Sequence, residues 1–100
     1  MDVFVPAYDG EKFSFVWEED FSIKCSIDNN SVIIEANKGG LISLARHLLE
    51  LAQENVPDFQ HIHLDEYNSL DSNSAELIVK KSSTGDGSVV PSGNDPIDPK

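Results

Sequence analysis

Three residues at alternate positions, His61, His63 and Asp65, form the pattern in this 100-residue chain that is most typical of chemistry at a site. Alternate side chains of a β-strand point to the same face, so all three would share one side of a sheet. Two neutral imidazoles and a carboxylate suit zinc, or iron with open coordination positions. One hypothesis is therefore a small metal-binding protein or hydrolase that uses these residues.

A metal-dependent hydrolase needs further ligands, and the only other histidine is His47. It falls within a predicted helix, on the side that faces away from His61 and His63 if Ile62 and Leu64 pack beneath that helix. The three histidines then do not converge on one point. A polar surface is the simpler interpretation of the strand, and we assign no metal ligands.

Other catalytic patterns are missing from the sequence. There is no Gly-x-Ser-x-Gly elbow, and Cys25 has no evident histidine partner. Cys25 alternates with apolar neighbours, which indicates a small buried hydrophobic residue. The pair Gly39-Gly40 lacks the lysine and further glycines of a phosphate-binding loop, and it indicates a plain turn. We expect no enzymatic activity, no catalytic residue and no cofactor.

Composition narrows the class of protein. One hundred residues form one domain, and no apolar run approaches the length of a membrane-spanning helix. The formal net charge of −11 disfavours nucleic acid as a partner, because phosphate backbones are bound by clustered Lys and Arg. The same charge favours solubility and a basic partner. A single cysteine and the lack of a signal-peptide pattern predict a cytoplasmic protein without an internal disulfide.

An amphipathic helix over residues 39–54 is the element around which the rest of the chain is arranged. Leucines and alanines recur on one side at helical spacing, at Leu41, Leu44, Ala45, Leu48, Leu51 and Ala52. Arg46, Glu50 and Glu54 step by four on the other side, which predicts a solvated face with an i,i+4 ion pair. Leu48 lies mid-face, so we expect Leu48→Ala to cost about 2–5 kcal/mol.

Alternating residues predict strands around this helix. The predicted strands are Lys12–Trp17, Phe21–Ile27, Val32–Ala36, Phe59–Asp65 and Ser74–Lys81. A turn signal at Asp9-Gly10 precedes the first strand, and turn chemistry at residues 28–31 separates the second strand from the third. The fold class is α+β, a mostly antiparallel sheet of about five strands in the order β-β-β-α-β-β with the helix on one face. Residues 1–82 form this single domain, and the Gly-, Ser- and Pro-rich residues 83–100 form a flexible acidic tail.

Part of the chain resembles a known family. The likeness is carried by the helix Gly40–Gln53, the turn Val56-Pro57-Asp58, the stretch His61–Leu70 and the strand Glu76–Lys81. This order is similar to that of immunity protein family thirty-two, from bacterial polymorphic toxin systems, and the likeness covers roughly residues 33–81. The helix followed by the His-x-His-Leu-Asp strand is its most specific part. The resemblance implies a cytoplasmic antidote that binds and blocks a cognate toxin domain, and it supplies no catalytic residues.

Charge adds a toxin class to this expectation. Nuclease active sites are basic, and acidic side chains can take the place of phosphates, so a nuclease toxin fits the net charge. The predicted partner-binding residues are Trp17, Glu18, Glu19, Asp20, His61, His63, Asp65, Glu66 and Tyr67. The alternatives are that Trp17 belongs to the core and that residues 18–20 are a solvated turn. A further hypothesis is a generic acidic adaptor that binds through its tail, and no residue indicates an oligomeric state.

Overall fold

The computed structural model describes residues 1–83, which contain one helix and four strands. The elements are β1 (Ile23–Asp28), β2 (Ser31–Ala36), α1 (Lys38–Leu51), β3 (His61–Leu64) and β4 (Leu77–Lys80). The α+β class holds, with four strands rather than five. Apart from Ser83, the tail predicted for residues 83–100 lies outside the described residues. Within residues 1–83 no helix is long and apolar enough to cross a membrane.

The strands form two separate antiparallel sheets, β1–β2 and β3–β4, rather than one. β1 and β2 pair along their full lengths, and so do β3 and β4. Asn29 and Asn30 close the β1–β2 hairpin with φ angles of 56° and 75°, in the left-handed region that asparagine tolerates. The turn predicted for residues 28–31 is therefore confirmed.

A short irregular stretch, residues 71–75, joins the two sheets. The N–H groups of Asp71 and Ala75 donate to the carbonyl oxygens of Ile23 and Cys25, at 2.8 and 2.7 Å. This stretch therefore follows the edge of β1 that faces away from β2, and β4 begins one residue after it. A buried cluster that includes Ile23, Cys25 and Leu64 consequently spans both sheets.

The strand predicted for residues 12–17 is not formed. The chain has no regular secondary structure before β1, and Phe15 has a φ of 52°, which lies outside the extended region that a strand requires. Residues 4–18, the N-terminal segment, instead lie against α1. Their backbone groups bond to helix side chains, which replace the partner strand of a sheet.

The N-terminal segment reverses direction at Asp9-Gly10, where the sequence predicts a turn. The Asp9 Oδ1 atom accepts from the N–H groups of Lys12 and Glu11, at 3.1 and 2.8 Å, and Gly10 adopts a φ of 94°. These two N–H groups stabilise the charged carboxylate, and they hold the pKa of Asp9 below its ordinary value. The turn thus folds the segment back along the same helix.

The start of α1 is fixed by a cap and by a close approach to β1. Asn37 is the N-cap, and its Oδ1 atom accepts from the Gly40 N–H at 2.7 Å. A side chain at Gly40 would collide with the Ser22 carbonyl oxygen, so this approach of helix to strand requires glycine. Gly39-Gly40 therefore lies in the first helical turn, and the plain turn predicted there is wrong.

The helix buries the side that the sequence pattern predicts to be solvated. Its buried side chains are mostly polar: Ser43, Arg46, His47, Glu50 and Leu51. Of the predicted apolar face, Leu51 is buried, whereas Leu41 and Leu48 are exposed. The reason is the N-terminal segment, which bonds to the polar side and covers it. The pattern is amphipathic as predicted, but the helix is rotated about its axis. The buried side includes Arg46 and Glu50, and of the predicted apolar face only Leu51 is fully buried. Leu44 packs partly buried against the core.

Two leucines three residues apart test this rotation. Leu51 is 4% exposed and packs with Tyr8 and Val56, so Leu51→Ala should lower the free energy of unfolding by about 2–5 kcal/mol. Leu48 is 40% exposed, so the cost expected from the sequence pattern falls to about 1 kcal/mol or less for Leu48→Ala. Urea titration of both variants measures the difference. A larger loss for Leu48→Ala would mean that the leucine side faces the core after all.

Candidate functional site

Arg46 ties three points of the N-terminal segment to α1. Its Nε atom donates to the Phe4 carbonyl at 2.7 Å, and its Nη1 atom donates to the Val16 carbonyl at 3.1 Å. Its Nη2 atom pairs with the Glu18 carboxylate at 2.8 Å. The i,i+4 ion pair predicted between Arg46 and Glu50 on a solvated face is wrong, because Arg46 is buried and pairs with Glu18 instead.

Glu50 and Ser43 satisfy further backbone groups of the same segment. The two carboxylate oxygens of Glu50 accept from the Ser14 and Phe15 N–H groups, at 2.6 and 3.4 Å. The Ser43 hydroxyl oxygen accepts from the Glu18 N–H at 2.8 Å. Buried backbone groups without a partner are costly, so these bonds allow an irregular segment to pack against the helix.

Gln53 and Asn55 hold the segment near the C-terminal end of the helix. The Gln53 side chain accepts from the Tyr8 N–H at 3.1 Å and donates to the Pro6 carbonyl at 2.8 Å. The Asn55 amide donates to the Tyr8 carbonyl at 3.1 Å. The segment is therefore fixed along the length of α1 by side chains that are distant from it in sequence.

His47 is fully buried in this interface. Its ring meets those of Phe15 and Trp17 edge to face, with centroid distances of 5.1 and 4.3 Å. Within residues 1–83, neither of its ring nitrogens has a hydrogen-bond partner. Burial, and to a lesser degree the positive charge of Arg46, lowers the pKa of His47 from 6.5 to about 4. The imidazole is therefore neutral near pH 7 and serves packing.

Four of the predicted partner-binding residues precede β1, namely Trp17, Glu18, Glu19 and Asp20. Only two of these four are exposed. Trp17 stacks on Phe21 at a centroid distance of 4.4 Å and packs against the core. Glu18 is held by Arg46 and Ser43, as described above. Glu19 and Asp20 are exposed in the turn that precedes β1.

The other predicted partner-binding residues lie on β3 and on the turn after it: His61, His63, Asp65, Glu66 and Tyr67. Ile62 and Leu64 are buried, so His61 and His63 point to the opposite side of the strand, as the alternation predicts. Tyr67 is 89% exposed in the turn. A hydrogen bond with Glu66, together with the nearby carboxylate charges, raises the pKa of the Tyr67 hydroxyl above its ordinary value. Asp65 and Glu66 are partly buried beside it.

His63 meets two carboxylates, and His61 is not one of this group. The His63 Nε2 atom lies 2.5 Å from Glu76 Oε2 and 3.5 Å from Asp65 Oδ2. One ligand atom from each of the three residues lies within 4.8 Å of the others. Sequence analysis missed Glu76 as a member. The alternation shows which residues share a strand face, but the residue that lies across from them depends on the register of β4.

The β1–β2 hairpin carries an exposed apolar surface. Ile27 and Val32 are 67% and 63% exposed, and the strand register puts them on the same face as Ile34 and the buried Cys25. The face of this sheet that packs on the core therefore extends to the hairpin end, where the rest of residues 1–83 leaves its apolar side chains exposed. Contiguous exposed apolar residues are typical of protein-interaction surfaces.

Comparison with known families identifies the family of the chain. The family model described as Immunity protein 32 matches residues 31–82. The chain belongs to this family. No curated protein and no solved structure gives a significant match. The match confirms the resemblance predicted over residues 33–81, and it spans β2 to β4 without β1 or the N-terminal segment.

The buried His47 predicts a specific loss of stability in acid. Its pKa is about 4 in the folded protein and about 6.5 when unfolded, so the unfolded chain binds the proton more tightly. Stability is therefore lost as the pH falls from about 6.5 to about 4. His47→Phe keeps an aromatic ring and should remove on the order of 2 kcal/mol of the loss between about pH 7 and pH 4.5.

The measurement is urea unfolding of wild type and variant at both pH values. The carboxylates are the same in the two proteins, so their contribution to the pH dependence cancels in the comparison. His61→Gln is the matched control, since His61 is exposed on β3 and should retain the wild-type pH dependence. An unchanged pH dependence in His47→Phe would show that the folded protein does not hold His47 neutral.

Proposed function

We propose that this protein binds a cognate toxin domain by direct contact and neutralises it. Membership of the immunity protein 32 family, through residues 31–82, is the observation that carries this proposal. The protein acts as a binding partner rather than as an enzyme. We also propose that it acts in the cytoplasm, in keeping with its single, buried thiol, Cys25.

The distribution of charge supports a basic toxin, and a nuclease in particular. The net charge is −11, and Glu50 is the acidic residue that is fully buried within residues 1–83. The other carboxylates of this part of the chain reach solvent wholly or in part. An acidic surface attracts a basic partner and can occupy a groove that otherwise holds a phosphate backbone. A nuclease domain carries such a groove because its substrate is a polyanion.

The proposed contact surface combines the turn after β3 with the exposed side of that strand. Tyr67 supplies an exposed aromatic ring, and Glu66 and Asp65 lie beside it. Aromatic residues with charged neighbours supply much of the affinity and the association rate of protein complexes. Glu19 and Asp20 add exposed carboxylates before β1. Trp17 and Glu18 would contribute indirectly, since they fix the N-terminal segment.

The other two hypotheses have less support. The hypothesis of a metal-dependent hydrolase requires His61 together with His63 and Asp65. The structure does not bring His61 into a group with the other two. The generic adaptor depended on the acidic tail, which lies outside the described residues.

Co-expression with the toxin tests the proposed function. We expect the gene immediately upstream to encode a large toxin, and the C-terminal domain of that protein is the partner to use. We expect the two chains to elute together in size-exclusion chromatography and the nuclease activity to disappear at equimolar ratio. Separate elution of the two folded proteins at micromolar concentration would contradict the proposal.

A pair of surface variants tests the contact surface once a complex is in hand. Tyr67→Ala should weaken binding by about tenfold or more, since exposed aromatic anchors of this kind often supply over 1.4 kcal/mol. Val32→Ser, on the exposed face of the hairpin, should leave the dissociation constant within about twofold. Titration calorimetry measures both. The opposite result would move the contact surface from the β3 turn to the hairpin.

A further inference from the structure

We propose that His63, Asp65 and Glu76 form a binding site for one divalent transition-metal ion, for which zinc is the best fit. An imidazole nitrogen and carboxylate oxygens are ligands that zinc accepts, whereas calcium and magnesium prefer oxygen alone. Three protein ligands leave a fourth position open for water or for a group from another molecule. The site belongs to the free protein and does not depend on toxin binding.

The fold brings these three side chains together from separate positions. His63 lies on β3, Asp65 follows that strand, and Glu76 directly precedes β4. His63 is opposite Ile78 in the antiparallel register, so Glu76 lies diagonally across from His63 on the same face. The ligand atoms of a tetrahedral zinc ion are about 3.5 Å apart, and the observed separations extend from 2.5 to at most 4.8 Å. Small rotations of exposed side chains are enough to seat the ion.

Asp65 is oriented by its own turn before any ion arrives. Its Oδ1 atom accepts from the N–H groups of Tyr67 and Asn68, at 2.9 and 3.1 Å, and its Oδ2 atom is left facing His63. The Asn68 side chain also donates to the His63 carbonyl at 3.0 Å and accepts from the Asp65 N–H at 3.0 Å. One asparagine therefore holds the backbones of His63 and Asp65 in a fixed relation to each other.

Charge also favours a cation here. The two carboxylates bring a formal charge of −2, which a divalent ion balances. Within residues 1–83, the ion pairs of this cluster are only those that His63 makes with the two carboxylates. In the absence of metal the imidazole has to bridge two carboxylates of like charge, and an ion between the three groups removes that repulsion.

Calorimetric titration of the metal-free, full-length protein with zinc chloride tests the site. We expect one zinc ion per chain with a dissociation constant of about micromolar order, as suits three exposed ligands. His63→Ala and Glu76→Gln should each weaken binding by at least about tenfold. His61→Ala is the matched control, because His61 lies on the same face of the same strand and outside the cluster. It should retain the wild-type affinity.

Cobalt supplies a second readout, because its visible absorption distinguishes a protein-bound tetrahedral ion from the hexa-aqua ion. We expect the absorption to appear with wild type and His61→Ala and to be lost with His63→Ala. No zinc binding at about 100 μM, or an equal loss in the two histidine variants, would overturn the site and leave only nonspecific binding to surface histidines. Equal urea midpoints for all variants show that folding is intact. Because toxin is not present, neither result bears on the proposed function.

Discussion

The structure depends on the polar contact between α1 and the N-terminal segment. Arg46 and Glu50 are buried charged residues. Arg46 bonds to backbone carbonyls of that segment and to the Glu18 carboxylate, and Glu50 accepts from backbone N–H groups of the segment. An uncompensated buried charge costs several kcal/mol, so loss of either set of partners is strongly unfavourable. The contact consequently fixes the position of a segment that has no strand or helix of its own.

This use of the polar side determines what the rest of the surface can offer. Because α1 turns Arg46 and Glu50 inward, it leaves Leu41 and Leu48 exposed, and half of the buried apolar residues within residues 1–83 come from β1 and β3. Ile62 and Leu64 take the inner side of β3, so its histidines face solvent beside the turn that carries Tyr67. The surface available to a partner thus depends on which sides α1 and β3 turn inward.

The sequence was sufficient where structure is local. The Asn29-Asn30 turn, the inward Ile62 and Leu64 and the helix itself follow from propensity and periodicity. It was insufficient where a contact joins distant residues. The solvated face predicted for Arg46 and Glu50 rests on the rule that charges face water. No local pattern shows that backbone groups and one carboxylate, 28 to 42 residues away, supply their partners. Glu76 was missed for the same reason, since its place beside His63 depends on strand register.

The family match and the fold together divide the chain into two roles. Residues 31–82 alone would hold β2 without β1, and Ser43, Arg46 and Glu50 without the groups that they bond. A chain reduced to that span would expose buried charges and an unpaired strand, so it should not fold independently. The turn after β3 and the His63 cluster nevertheless lie wholly within it. Residues 1–30 therefore hold the fold together, while the proposed contacts with toxin and metal lie mainly in the part that the family shares.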